Sequence, residues 1–263
     1  MDTAARIERL ETQLKLLESY SVASFWQALD RVYDITLPSR TLRCIVCDFS
    51  DRRSGFKTRT DTCQFGGGKL ERYECPQCDA LFGPQKYLDL AEDFVVADYN
   101  LLYSRYAESD STENELRAFR SLHPVAGSLH LNWGCGSWSK SIPQLRGEGF
   151  DVWGYEPSAP ASEGHIVKWR GEISAQFDGI FSNNVIEHFR DPVEQFKDFK
   201  SLLKPNAAMA HASPCYAYSY SFTRFHTLFL LGRSPYVLAK RTGFAVESVD
   251  ANGEFINHVF RSI

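Results

Sequence analysis

Along residues 1–40 the apolar positions recur with a helical period. Ile7, Leu10, Leu14 and Leu17 stand at 3-4-3 spacing with charged residues between them, which puts them on one stripe of an α-helix. Phe25, Trp26, Leu29, Val32 and Tyr33 continue the spacing until Pro38 closes it. Residues 41–83 change character, with short strand-like text broken by the glycine run Gly66–Gly68. From 84 to 126 the period is helical again. Tyr87, Leu88, Leu90 and Ala91 come first, then Tyr99, Leu102, Tyr103 and Tyr106, then Thr112-Glu-Asn-Glu115, which predicts a capping box at a helix start. After Gly127 strands and helices alternate. Strands are expected at Leu129–Trp133, Val152–Tyr155, Ile166–Trp169, Asp178–Ser182 and Ala207–Ala212, with helices near Lys140–Glu148 and over Pro192–Leu203. Such alternation predicts an α/β domain whose mainly parallel sheet carries helices on both faces.

Four regions follow from this pattern: a helical segment at 1–40, a small module at 41–83, a helical linker or lid at 84–126 and the α/β domain at 127–263. The first stripe is about two heptads long, a seam on which a second helix, including that of a second copy, could pair. A chain of 263 residues accommodates one full α/β domain and a smaller module. Its formal net charge of −4 gives no electrostatic reason to expect nucleic acid. No apolar run approaches membrane-spanning length and the start, MDTAARIERLE, lacks a signal pattern, so the expectation is a cytoplasmic protein.

The small module carries its own chemistry. Cys44-Ile-Val-Cys47 and Cys75-Pro-Gln-Cys78 are two CxxC pairs with 27 residues between them. Each pair sets two thiolates on one turn, and together they supply the four tetrahedral ligands of a closed, structural Zn²⁺ site, a zinc ribbon. The odd total of seven cysteines fits metal binding in a reducing compartment better than a disulfide framework. Cys63, between the pairs, reads as a packing residue.

In the α/β domain, the strand at Leu129–Trp133 runs into Gly134-Cys135-Gly136, and the next strand pattern, Phe150–Tyr155, ends at the carboxylate of Glu156. A glycine turn after one strand and an acid after the next is the layout of a nucleoside-binding crevice. The dinucleotide fingerprint requires a further glycine where Ser139 stands, which disfavours a nicotinamide oxidoreductase. S-adenosylmethionine has no pyrophosphate and needs no such glycine.

Phe177–His188, FDGIFSNNVIEH, followed by Arg190-Asp191-Pro192, resembles the fourth-strand motif of class I S-adenosylmethionine-dependent methyltransferases. Leu202–Pro205 with Ala207–Pro214 resembles the turn and fifth strand of that family, and FAVESVDA and INHVFRSI, joined through Asn252-Gly253, its two closing strands. The resemblance implies a Rossmann-like, seven-stranded sheet. It also implies that Gly134, Cys135 and Gly136 line the methionine tail and that Glu156 takes the ribose hydroxyls. Asn183 and Asn184 would contact the methionine amino group and methyl region, and adenine would lie near Trp169–Gly171. A cysteine-rich ribbon ahead of such a core is similar to bacterial sugar and surface-glycan methyltransferases. The implied reaction is O-methylation of a small molecule, first a saccharide such as a nucleotide sugar or a glycan. Sugar C-methylation is the alternative, and a zinc-ribbon nucleic-acid or protein-binding module with a non-catalytic fold is the alternative of another class.

Methyl transfer is an in-line displacement that depends on alignment, and a hydroxyl acceptor gains from a base within hydrogen-bond reach. Histidine suits that role near neutral pH. His188, after the fourth strand, and His226, in the aromatic insertion at 213–234, are the candidates. On this reading the rate rises with pH through an ionisation near neutrality. Glu187, Tyr216 and Tyr220 are the candidate acceptor contacts, because the insertion follows the fifth strand at the carboxyl edge of the sheet. His123, His130, His165, His211 and His258 read as structural.

Overall fold

The computed structural model describes residues 3–104, 106, 109–136 and 139–263. A single helix, α1 (Thr3–Thr36), carries the whole N-terminal apolar pattern. Trp26 is buried in its second half, stacked 6.0 Å from Tyr87. Residues 3–17 are exposed throughout. No helix among the described residues is long and apolar enough to cross a membrane.

The next stretch forms two small sheets. β1 (Thr41–Arg43) pairs with β2 (Ser50–Arg52) around the first cysteine turn. β3 (Lys57–Thr62), β4 (Lys69–Glu74) and β5 (Leu81–Phe82) form an antiparallel ribbon. Three helices follow: α2 (Gln85–Leu88), α3 (Glu92–Tyr103) and α4 (Thr112–Arg120).

The remainder is β6 (Leu129–Trp133), α5 (Ser141–Gly147), β7 (Asp151–Tyr155), β8 (Ile166–Val167), β9 (Phe177–Asn183), α6 (Pro192–Leu202), β10 (Leu203–Ala212), β11 (Leu228–Phe229), α7 (Ser234–Thr242), β12 (Phe244–Asn252) and β13 (Phe255–Ser262). Seven strands form one sheet in the order β12-β13-β10-β9-β6-β7-β8. Pairings from β10 through to β8 are parallel, while β13 runs antiparallel to both β10 and β12. β9, FDGIFSN, is buried along nearly its whole length, as a strand covered on both faces must be. α6 starts where Asp191 accepts from Glu194 N at 3.1 Å with Pro192 in the first turn. α7 stops at Gly243, whose φ of +78° is free of the Cβ penalty. Chain order reverses between β6 and β9, which opens a crevice at their carboxyl ends.

Residues 41–83 are not separate from the α/β domain in sheet or core. β11, from the aromatic insertion, pairs antiparallel with β5 and makes the ribbon a four-stranded sheet, with Leu228 opposite Phe82. One hydrophobic cluster runs from Val46, Phe56, Tyr73 and Phe82 into Leu131, Ile180, Phe196 and Leu238. The capping box at Thr112 also does not form. The N-cap is Ser111, without a side-chain cap bond, and Glu115 turns into the protein. α4 itself covers the large sheet, with Leu116, Ala118 and Phe119 packed among Phe181, Ala210 and Val259.

Candidate active site and cysteine cluster

β6 delivers the chain into the glycine turn. Gly134 and Gly136 take φ of +70° and +62°, which L-residues rarely adopt. A Cβ on Gly134 would stand 2.7 Å from Val185 Cγ2. Gly134 N and Cys135 N both donate to Tyr155 O, at 2.8 and 3.2 Å, tying the turn to the end of β7. Glu156 follows directly. Its Oε2 accepts from Gly136 N at 2.9 Å, and its Oε1 from Ser158 N and Oγ at 2.9 and 2.6 Å. A carboxylate oxygen has two acceptor sites, so Oε2 retains one for a ligand hydroxyl. Cys135 contributes its backbone to the turn. Its thiol packs in the core, where a Cβ on Gly154 would meet Sγ at 2.6 Å, and burial raises its pKa.

Glu115 is the residue that the sequence reading placed wrongly. Its Oε2 accepts from Asn132 Nδ2 (2.6 Å), Ser139 Oγ (2.7 Å) and Ser141 Oγ (2.5 Å), and its Oε1 from Ser111 Oγ. Asn132 precedes the glycine turn and the two serines follow it, so one buried carboxylate ties both ends together. Burial raises the Glu115 pKa against the pull of these donors. A lone Asn in an apolar strand, followed by Ser139 and Ser141, was the available signal.

β9 ends beside the turn. Asn184, at φ +57°, donates its N to Ala212 O at 2.8 Å. Asn183 is buried, and its Nδ2 has no partner among the described residues. Both asparagines line a cleft of about 270 Å³ together with Glu187, His188, Tyr220 and His226. Tyr99, Tyr103 and Tyr106 border it from the α3 side and Glu254 from the β12–β13 turn. The expected acceptor contact Tyr216 is not part of the cleft. It stacks on His258 with ring centroids 3.9 Å apart, buried against β13. Trp169 is exposed beyond β8, and Arg170 pairs with Asp198 of α6.

The two histidines sit with ring centroids 4.9 Å apart, at 69°. His188 Nδ1 lies 3.1 Å from Phe225 O and 2.8 Å from Tyr99 Oη. His226 Nδ1 lies 2.9 Å from Tyr220 O and 3.5 Å from Cys215 Sγ. A carbonyl only accepts, so Nδ1 donates in both rings; this leaves Nε2 of His226 with its lone pair, while His188 also meets the backbone of Asn184. Burial depresses His188 to about 4, against the opposing backbone groups of Phe225 and Asn184. Burial, then the neighbouring His188, holds His226 well below the usual value. Both shifts favour the neutral ring at pH 7 and run against an ionisation near neutrality. His211, bonded to Ser182 Oγ at 2.7 Å and stacked on Phe199, belongs to the sheet core.

Two buried arginines fix the loop that carries His226. Arg72 of β4 donates Nη2 to Thr223 O (2.8 Å) and His226 O (3.1 Å). Arg224 makes two bonds of 2.7 Å to Asp98 of α3 and one of 2.8 Å to Phe65 O. Neither clamp was legible, since an arginine in a short strand or loop reads as a solvated charge.

At the far end of the ribbon the four expected cysteines converge. Cys44 Sγ is 3.6 Å from Cys78 Sγ, Cys47 Sγ is 3.5 Å from Cys75 Sγ, and all four lie within 4.8 Å of one another. A tetrahedral ion about 2.3 Å from each sulfur spaces them roughly 3.8 Å apart, so the set fits zinc. The two turns are copies of one design, Cys-x-x-Cys-Asp. In each, the Asp adopts positive φ and donates N to the first cysteine's O, at 3.0 Å for Asp48 and 2.9 Å for Asp79. Each carboxylate then pairs with an arginine, Arg241 of α7 for Asp48 and Arg233 just before α7 for Asp79.

Residues 114–249, just over half of the chain, match the family described as methyltransferase domain. CalO1, a methyltransferase in calicheamicin biosynthesis solved with S-adenosylhomocysteine bound, superimposes with a TM-score of 0.50 at 13% identity. That match covers 69% of this chain and 65% of CalO1, less than two thirds of the latter. The 1,6-didemethyltoxoflavin-N1-methyltransferase of Burkholderia thailandensis, with 1,6-didemethyltoxoflavin and S-adenosylhomocysteine bound, gives 0.49 at 14% identity, over 78% of this chain and 99% of that one. An S-adenosylmethionine-dependent methyltransferase of Mesorhizobium loti gives 0.41 at 16% identity, over 56% and 97%. At these identities the likeness is one of fold. No curated protein matches the chain in sequence.

Proposed function

The chain belongs to the methyltransferase domain family, and from that premise we propose that it transfers a methyl group from S-adenosylmethionine to a hydroxyl of a small acceptor, a saccharide such as a nucleotide sugar or bacterial glycan. One adjacency supports this reading: Gly134 of the turn sits against Val185, which follows Asn183 and Asn184 of the cleft that holds the two imidazoles. Gly134 and Gly136 leave the backbone open to the methionine portion, Glu156 Oε2 offers an acceptor to the ribose, and Asn183 Nδ2 offers a donor that has no partner among the described residues. When bound, the cofactor supplies an electrophilic methyl group on a sulfonium sulfur.

The chain's own residues would then do two things. The tyrosines of α3, with Glu187 and the hydrogen-bonded pair Tyr220–Glu254 (2.8 Å), hold the acceptor so that its oxygen lines up with the methyl. Alignment of that kind provides much of the rate. The Nε2 lone pair of His226, or a ring nitrogen of His188, takes the hydroxyl proton, a contribution of roughly 10²–10⁴ in rate. In the same reading the cysteine cluster holds one structural Zn²⁺, closed by four thiolates with no position left for substrate.

Calorimetry with S-adenosylmethionine tests the core of this reading. Glu156→Ala should weaken binding by about 1.5–3 kcal/mol, the scale of a hydrogen bond to a charged group. Equal affinity for wild type and variant would remove the cofactor from this turn. S-adenosylhomocysteine release across a panel of nucleotide sugars and glycans then tests the acceptor class.

A further inference from the structure

In the first half of α1 the apolar stripe is exposed, with no described part of the chain packed over it. Ile7, Leu10, Leu14 and Leu17 are 52–61% exposed, and every residue from 3 to 17 is exposed. Contact with the body begins later, where Val22, Phe25, Trp26 and Leu29 pack against Tyr87, Val95 and Phe225.

Spacing and charge define what fits there. The 3-4-3 interval puts Ile7 and Leu14 at a positions and Leu10 and Leu17 at d positions of two consecutive heptads. Ile7 at a with Leu10 at d, the order of the first heptad, suits a two-stranded, parallel coil. In the same frame Arg6 occupies g and Glu11 the following e. A parallel, in-register pair sets g of one helix against the next e of the other, so Arg6 of each copy would face Glu11 of the other. An antiparallel pair sets e against e, which opposes Glu11 to Glu18 or to itself. Two heptads are short for an autonomous coiled coil, because an isolated helix of that length must pay for its own nucleation. Here the second half of α1 is already anchored, and the seam is an extension of a formed helix.

We propose that two copies of this chain associate through a parallel, in-register coiled coil centred on Ile7, Leu10, Leu14 and Leu17. Sedimentation equilibrium of the full chain should report a dimer within the range up to about 100 µM. Leu10→Glu/Leu14→Glu should be a monomer, with the circular dichroism of a folded protein and unaltered affinity for S-adenosylmethionine. Charge exchange fixes the geometry. Arg6→Glu and Glu11→Arg should each weaken self-association several-fold, and an equimolar mixture of the two should recover wild-type affinity, since every g–e contact in the mixed pair is again attractive. A wild-type monomer at about 100 µM, a dimer that survives Leu10→Glu/Leu14→Glu, or a mixture no tighter than its components would each overturn the proposal.

Discussion

Removing the carboxylate of Asp98 should cost this protein a large share of its stability, by a route that a second substitution can undo. Asp98 and Arg224 are 5% and 2% exposed and meet through two bonds of 2.7 Å. Burial works against the charge on Arg224, yet its bonds to Asp98 outweigh that and its pKa is raised. In Asp98→Ala the guanidinium keeps Phe65 O at 2.8 Å and its places over Trp26 (5.2 Å) and Phe225 (4.5 Å), but no counter-charge. Breaking a buried pair from one side costs about 3–5 kcal/mol. The surviving carbonyl and ring contacts, the rings being worth about 1–2 kcal/mol when desolvated, place the expected loss near the lower end, about 3 kcal/mol. Against a typical total of about 5–15 kcal/mol that is a severe change. Asp98→Leu/Arg224→Met removes both charges and retains apolar volume, so it should recover most of the loss, to within about 1.5 kcal/mol of wild type. Urea unfolding of wild type, Asp98→Ala, Asp98→Leu, Arg224→Met and Asp98→Leu/Arg224→Met at pH 7 gives the full cycle. A single variant within about 1 kcal/mol of wild type, or a double variant no more stable than Asp98→Ala, would refute the reasoning.

Other expectations are equally direct. Glu115→Ala frees Asn132, Ser139 and Ser141 from their common partner; calorimetry should show S-adenosylmethionine affinity falling by at least tenfold, about 1.4 kcal/mol. Because His188 sits at about 4 and His226 well below 6.5, a base at either ring, as proposed, is already free at neutral pH. Turnover should be level from about pH 6 to 8 and fall only in acid, whereas a rise through neutrality would place the base elsewhere. The same depressed values set an acid limit on stability. His188 and His258, at about 4, and His211, at about 3, stay neutral while the unfolded chain takes up protons below 6.5. Unfolding midpoints in urea should therefore be constant above about 6.5 and decline as the pH falls from there through about 4. Chelation of the proposed Zn²⁺, or Cys75→Ser, should lower the melting temperature and depress turnover on the acceptor more than cofactor affinity, read by atomic absorption, calorimetry and steady-state rates.

What could be read from the sequence was whatever a local period encodes. β6, β7, β9, β10 and the closing hairpin of β12 and β13 announce themselves through buried, strand-like runs bounded by turn residues. The four cysteines, the glycine turn and Glu156 were legible for the same reason, because each is a short pattern with a fixed spacing. Contacts between distant parts of the chain left no such trace. β11 is two residues long and becomes a strand only because Phe82 is there to pair with it. Arg72 reaches the carbonyl of His226 across 154 positions of sequence. Glu115 satisfied a capping pattern that it does not use, since its four donors outcompete a helix terminus. Tyr216 lies in the same insertion as Tyr220, but it stacks on His258 while Tyr220 lines the cleft.

The strand exchange at β11 has an implication for how such an enzyme changes its substrate. The insertion that walls the cleft also supplies the edge of the ribbon sheet and receives Arg72 from its middle strand. Grafting residues 213–234 from a relative would therefore carry over a strand bred for a different ribbon and leave Arg72 facing carbonyls in the wrong places. On the proposed acceptor site, a change of selectivity takes two pieces at once, the loop and the cysteine-bearing ribbon it pairs with. A chimera that exchanges both should keep its shape, while one that exchanges the loop alone should not.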